Sequence, residues 1–261
     1  MIYITGDTHC DFRRFAKRQH EELSFDLTEK DSVIICGDFG LLWAKDGTFE
    51  YNRKWLSGLP FQILWVQGNH ENYDMIEEYE LEEWKGGKVR HIVRDKIILL
   101  ERGQVFNIEG KTFFTFGGAS SHDIQGGVLD RDDLDYEEDR RKAIQSGLSF
   151  RVKHFSWWEQ ELPTEEELQE GLKNLKTANY QVDYVITHCA SNRTQDAVEL
   201  HYNGGGIGKR LYEQDILTNY FDMLEDKLSF KRWYFGHYHD DFDVDDKHTL
   251  LYEDIVPLSE I

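Results

Sequence analysis

Asp7-Thr8-His9 and His237-Tyr238-His239 each set two metal-capable side chains two residues apart. An extended backbone points such a pair to the same side. Between them in the chain lie Asp38, the pair Asn69-His70, and His188. Carboxylates, imidazoles and a neutral amide oxygen are donors suited to divalent transition ions such as Mn, Fe, Zn or Ni. Two such ions about 3.5–4 Å apart can activate water and clamp the oxygens of a phosphoryl group. Hydrolysis of a phosphate ester is one chemistry that needs both functions.

Each fragment is weak alone. Gly-Asp and Gly-Asn pairs are ordinary turn chemistry, and a lone histidine ending a strand is more often structural. The weight lies in the ordered set. Every fragment closes an apolar run, and glycine precedes the polar residue in four of the five: Gly6-Asp7, Gly37-Asp38, Gly68-Asn69 and Gly236-His237. Glycine at such a position is expected to let the backbone turn sharply towards the ion.

The elements that must position these residues alternate. Short apolar strands are predicted at Ile2-Tyr3-Ile4, 32–36 and 61–67, each ending in one of the polar fragments. Helices are predicted over 11–22, 49–59 and from Tyr73 to about Trp84. This βαβ rhythm implies parallel strands with helices outside them, and such sheets bind ligands beyond the carboxyl ends of their strands. From Lys88 the pattern turns to short strands at 89–92, 97–100, 105–108 and 112–116, with Glu109-Gly110-Lys111 as a turn. A helix is predicted over 165–175, a strand over 182–187, a helix over 211–224, and strands over 232–235 and 248–252. Without repeats or Pro/Ser-rich linkers, residues 1–261 read as one domain with a variable charged insertion around 119–178.

Composition bounds the partners. Hydrophobic residues are 39% of the 261, enough to bury a core, and no run of 18 apolar residues exists to span a membrane. The start of the chain lacks signal-peptide features, so a cytoplasmic location is expected. A formal net charge of −20 repels nucleic acid and anionic membranes. It would repel a phosphate substrate too, unless the site is locally positive; two divalent ions bring about +4 against about −2 from Asp7 and Asp38. Cys10, Cys36 and Cys189 are read as small residues packed at strand ends.

Gly6-Asp7-Thr8-His9, Gly37-Asp38, Gly68-Asn69-His70-Glu71, Thr187-His188 and Gly236-His237-Tyr238-His239 together resemble the five ordered motifs of the calcineurin-like metallophosphoesterase superfamily, in the manner of its bacterial and phage-type members. The resemblance implies an α/β fold of four layers, a αββα sandwich with two mixed β-sheets. It implies that Asp7, His9 and His239 bind one metal and Asn69, His188 and His237 a second, with Asp38 bridging; manganese is the favoured pair. It further implies that His70 contacts substrate and acts as general acid while metal-bound hydroxide attacks phosphorus in line. Two positions depart from the common pattern: Leu41 and Glu71 stand where many members carry Asp.

The expected substrate is a small phosphorylated molecule or a phosphoprotein, as monoester or diester. A catalytically silent scaffold of the same fold and a nuclease are the rival readings. Of the remaining features, His122 is expected at the cleft rim and Arg131 on a salt-bridged surface helix rather than on a phosphate. The Gly-rich segment 203–209 reads as a flexible loop, since it does not match a phosphate-binding loop.

Overall fold

The structure, a computed structural model, describes residues 1–16, 27–204, 206 and 211–258. In chain order the elements are β1 (Ile2–Thr5), β2 (Ser32–Ile35), α1 (Gly47–Ser57), β3 (Gln62–Trp65), α2 (Tyr73–Ile76), β4 (Leu81–Trp84), β5 (Gly87–Val93), β6 (Ile97–Leu100), β7 (Gln104–Ile108) and β8 (Lys111–Phe116). There follow β9 (Val128–Leu129), α3 (Tyr136–Ser146), β10 (Arg151–Val152), α4 (Glu165–Thr177), β11 (Tyr184–Thr187), α5 (Asn192–Tyr202), α6 (Ile216–Glu225), β12 (Arg232–Phe235), β13 (Phe242–Asp243), β14 (His248–Leu250) and β15 (Ile255–Pro257).

Two mixed sheets form. The first has the order β15-β1-β2-β3-β6-β5-β4 and the second β13-β14-β12-β11-β8-β7. In the first, β1, β2, β3 and β6 run parallel, flanked by antiparallel β15 and by the β5–β4 hairpin. In the second, β8, β11, β12 and β14 run parallel, flanked by antiparallel β7 and β13. A small parallel pair, β9 and β10, lies within the charged insertion.

The alternation of side chains along each strand explains the layering. Ile34, Leu64 and Ile98 of the first sheet face Phe113, Ile186 and Tyr234 of the second in one apolar layer. The residues between them point the other way. Val33, Ile63 and Leu99 meet Leu56, Tyr73 and Ile76 on one outer face, and Val185, Trp233 and Phe114 meet Leu168, Val198 and Phe221 on the other. The strands are buried on both faces, so they read as continuous apolar runs. This is the four-layer αββα arrangement expected from the sequence.

Three of the expected elements depart most from expectation. The helix expected from Tyr73 to about Trp84 stops after Ile76, and Leu81–Trp84 is a strand. Trp84 pairs with Gly87 across a two-residue turn in which Lys85 and Gly86 have φ of 50° and 99°, the left-handed geometry that tight hairpins require. The helix expected from Leu211 begins at Ile216, because the Asp215 carboxylate caps it by accepting from the N–H groups of Leu217 and Thr218 (both 2.8 Å). Of the helix expected over 11–22, residues 13–15 form a single 3₁₀ turn, and positions beyond 16 fall outside the described residues.

Ile186 is fully buried between the sheets. Replacing it with alanine should cost about 2–5 kcal/mol in a urea unfolding experiment. A loss below about 1 kcal/mol would mean that the inter-sheet layer is less closely packed than described.

Candidate metal centre

All five polar fragments emerge at the C-terminal ends of parallel strands: β1, β2 and β3 in one sheet, β11 and β12 in the other. Two hydrogen bonds stitch the sheets together there. The backbone N–H of His237 donates to Asp7 Oδ1 (3.0 Å), and His188 Nδ1 donates to the carbonyl oxygen of Cys36 (2.7 Å). Both depend on glycine. A Cβ on Gly236 would lie 2.1 Å from Asp7 Oδ1, and one on Gly37, where φ is 93°, would lie 2.3 Å from His188 Nδ1. The expectation that glycine turns the chain holds at Gly37. At Gly236 what matters is close approach of the carboxylate.

The donors then converge. His239 Nε2 lies 3.2 Å and His9 Nε2 3.6 Å from Asp7 Oδ2, and the two imidazole nitrogens are 2.9 Å apart. His188 Nε2 lies 3.1 Å from Asn69 Oδ1 and 3.4 Å from Asp38 Oδ1, while Asp38 Oδ2 is 3.8 Å from His9 Nε2. The His237 ring stands 5.0 Å from that of His188. Because the Cys36 carbonyl can only accept, His188 carries a proton on Nδ1. In the neutral ring Nε2 then turns a lone pair towards two oxygens, an arrangement that a cation among them would satisfy. Asp7 with His9 and His239, and Asp7 with Asp38 and His188, each offer ligand atoms within 4.8 Å of one another. The donor set thus fits divalent ions. No such cluster among the described residues includes a cysteine. Cys36 and Cys189 are buried, but Cys10 is exposed, contrary to the reading of all three as packed residues.

Electrostatics follow from this crowding. Asp7 and Asp38 are almost fully buried. Burial opposes their ionisation, yet the His188 imidazole and hydrogen bonds from neighbouring histidines hold both carboxyls well below the usual carboxylate range. Burial pulls His188 down, but Asp38 and Asp7 outweigh it and lift it to about 9. Burial and the nearby His188 drive His237 well below the ordinary imidazole range. His9, Asp38, His237 and His239 all adopt positive φ, between 44° and 72°. Such backbone strain costs on the order of 1–3 kcal/mol per residue and collects at functional sites.

His70 stands beside the cluster. Its backbone N–H donates to Asp38 Oδ1 (2.7 Å), and its Nε2 accepts from Arg151 Nη2 (3.2 Å). Burial lowers its pKa, with Arg151 adding to the effect and Asp38 opposing it. Arg151 is in turn gripped by Asp123, with Nε donating to Oδ1 and Nη2 lying 2.8 Å from Oδ2. Sequence reasoning weighed Arg131 and missed Arg151. Arg131 stacks over the Phe155 ring at 4.4 Å, and no motif marks Arg151, which reaches His70 only through the β9–β10 pairing. His122 does lie at the cluster, its ring 5.9 Å from that of His237. His20 and most of the Gly-rich segment 203–209 fall outside the described residues.

The two departures from the common motif have structural counterparts. Glu71 is fully buried; its Oε1 accepts from the Phe39 N–H (2.8 Å) and braces the turn carrying Asp38. Burial, with Asp38 adding to it, pushes the Glu71 carboxyl well above its usual range. Leu41 is buried in the apolar layer outside the first sheet.

A relay missed from the sequence supports Asn69. Its Nδ2 donates to Ser121 Oγ (3.3 Å), and the Ser121 N–H donates to Glu161 Oε2 (3.3 Å). Glu161 Oε1 is buried without a partner, and this acid lines a cavity of about 1020 Å³.

The sequence matches the profile of the calcineurin-like phosphoesterase family over residues 1–241, and the chain belongs to that family. The family's chemistry is hydrolysis of phosphate esters, and the Asp/His clusters supply candidate metal ligands. Among solved structures, one similar to this chain is a phosphopantetheinyl hydrolase from Mycobacterium tuberculosis, at 14% identity and a TM-score of 0.46 over 96% of this chain and 87% of that one. No curated protein matches the sequence. Among the described residues no helix is long and apolar enough to cross a membrane.

Burial raises the Glu161 carboxyl from 4.5 to about 8. Between those values the unfolded chain has released this proton and the folded chain has not, so Glu161 makes stability fall as pH rises. Glu161→Gln should therefore stabilise the protein more at pH 8 than at pH 5 in thermal melts. An equal shift at both pH values would remove this account of Glu161.

Proposed function

We propose that this chain is a dinuclear metal-dependent phosphoesterase acting on a small phosphorylated substrate. The observation that carries the reading is the convergence of Asp7, His9, Asp38, Asn69, His188, His237 and His239 at strand ends of both sheets. Asp7, His9 and His239 would hold one ion, Asn69, His188 and His237 the other, and Asp38 would bridge them; manganese is the proposed metal. When bound, the ions would polarise water and neutralise phosphoryl oxygens.

The protein's own residues do the rest. The Asp38 carboxylate accepts the His70 N–H and so fixes that ring beside the metal ligands. We assign His70 the proton delivered to the leaving oxygen. Its Nε2 accepts from Arg151 and so carries no proton there; to act as the acid the ring must give up that contact and take up a proton from solvent as the phosphate enters. Arg151, held in place by Asp123, then has a guanidinium edge to offer the phosphoryl oxygens, the geometry in which Arg outperforms Lys. The local positive charge offsets a protein field of net −20.

Asp38→Ala should abolish both metal content, measured by elemental analysis, and hydrolysis of aryl phosphate monoesters and diesters. His70→Ala should keep the metal and lose roughly 10²–10⁴ in rate. Full metal loading without turnover of any ester in a broad panel would instead support a silent scaffold.

Arg151→Gln should weaken inorganic phosphate binding to the metal-loaded protein by about tenfold or more in calorimetry, with metal content unchanged. Unaltered phosphate affinity would remove Arg151 from the substrate contact.

A further inference from the structure

A second cavity opens directly beside His9 and His70. It encloses about 310 Å³ and is bounded further by Cys10, Leu41, Trp43, Ala44 and Phe49. That volume is at the small end of ligand pockets, near the ~300 Å³ lower limit. Its lining contrasts with that of the cavity beside His237, where His122 and His237 are accompanied by Ser120, Gln195, Glu213 and Asp215.

The apolar lining is built rather than incidental. Trp43 is 37% exposed, a large indole left facing solvent beside the candidate active site. Its backbone carbonyl is fixed by Asn72 Nδ2 (2.9 Å), and its ring packs edge-on against Trp158 at 5.9 Å. Trp158 is fully buried and anchored by its Nε1–H, which donates to Asp74 Oδ2 (2.8 Å). The Trp43 ring is inclined only 32° to the His70 ring, with centroids 6.5 Å apart, so the two present related faces to the same space. Leu41, where many relatives of this motif would place an acid, gives a further apolar wall.

Charge narrows the occupant. No Lys or Arg lines this groove among the described residues. Its one carboxylate, Asp46, caps α1 by accepting from the N–H groups of Thr48 (2.9 Å) and Phe49 (3.0 Å). Among the described residues an anionic group would find no Lys or Arg to pair with there. A flat, uncharged ring would find the Trp43 face, and such aromatic contacts add about 0.5–1.5 kcal/mol beyond burial.

We infer that this groove receives the leaving group of the ester, and that the preferred leaving group is an uncharged aromatic ring. The inference rests on the phosphoesterase reading above, because it is His70 at the groove wall that places the leaving oxygen on this side. It names a substrate class, esters of aromatic alcohols, which the metal ligands by themselves do not.

The test uses the metal-loaded full chain, wild type and Trp43→Ala, with Trp43→Phe to keep an aromatic face. Binding of 2-naphthol, which carries no phosphate, is measured by calorimetry, and kcat/KM is measured for 2-naphthyl phosphate and glycerol phosphate. Wild type and Trp43→Phe should bind 2-naphthol, and Trp43→Ala should bind about tenfold more weakly. The ratio of kcat/KM for the aryl ester over the alkyl ester should fall by a similar factor in Trp43→Ala, through KM. No 2-naphthol binding by wild type, or a ratio unchanged within about twofold in a Trp43→Ala protein that melts normally, overturns the inference. Naphthol binding that depends on Trp43, without turnover of these two esters or of any monoester or diester in the broader panel, would uphold the groove and overturn the phosphoesterase reading instead.

Discussion

Two hydrogen bonds that cross between the sheets hold the centre of this molecule together: His237 N–H to Asp7, and His188 Nδ1–H to the Cys36 carbonyl. Each joins a strand end of one sheet to a strand end of the other. Each exists only because a glycine leaves room, Gly236 in one case and Gly37 in the other. Burying Asp7 and Asp38 side by side would be prohibitive if they stood unpaired. The surrounding imidazoles, and the cations this donor set fits, make it tolerable. Four residues of the cluster also occupy left-handed backbone conformations, a strain that the apolar layer between the sheets must offset.

Around this seam the labour divides. The parallel strands contribute every proposed metal ligand, while the charged insertion supplies side chains that support or approach them. Ser121 supports Asn69, Arg151 reaches His70, and Trp158 braces Trp43. The ligands sit on rigid strand ends, where position is reproducible. The supporting groups come from short β9 and β10 and the loops around them, which can vary without disturbing the seam.

Much of this was legible from residue order. The apolar runs at 32–36 and 61–67 announced buried parallel strands, and the polar residues ending them announced the site. What escaped depended on tertiary crossing. Arg151 and Glu161 carry no motif, and nothing local distinguishes Arg151 from Arg131; only β9–β10 pairing brings one of them to His70. The Leu81–Trp84 strand was missed for a local reason. Leu81-Glu82-Glu83-Trp84 suits a helix by composition, so the helix starting at Tyr73 was extended through it, and the turn at Lys85 and Gly86 that pairs it with β5 was not recognised. Leu41 was read as the loss of an acid, whereas in the folded chain it is one wall of an apolar groove.

Strand ends of both sheets are proposed to build one two-ion centre. Anomalous diffraction from crystals of the manganese-loaded protein tests it most directly. The account predicts two peaks about 3.5–4 Å apart, one among Asp7, His9 and His239 and one among Asn69, His188 and His237, with Asp38 between them. A single peak, or two that leave Asp38 unligated, would contradict it.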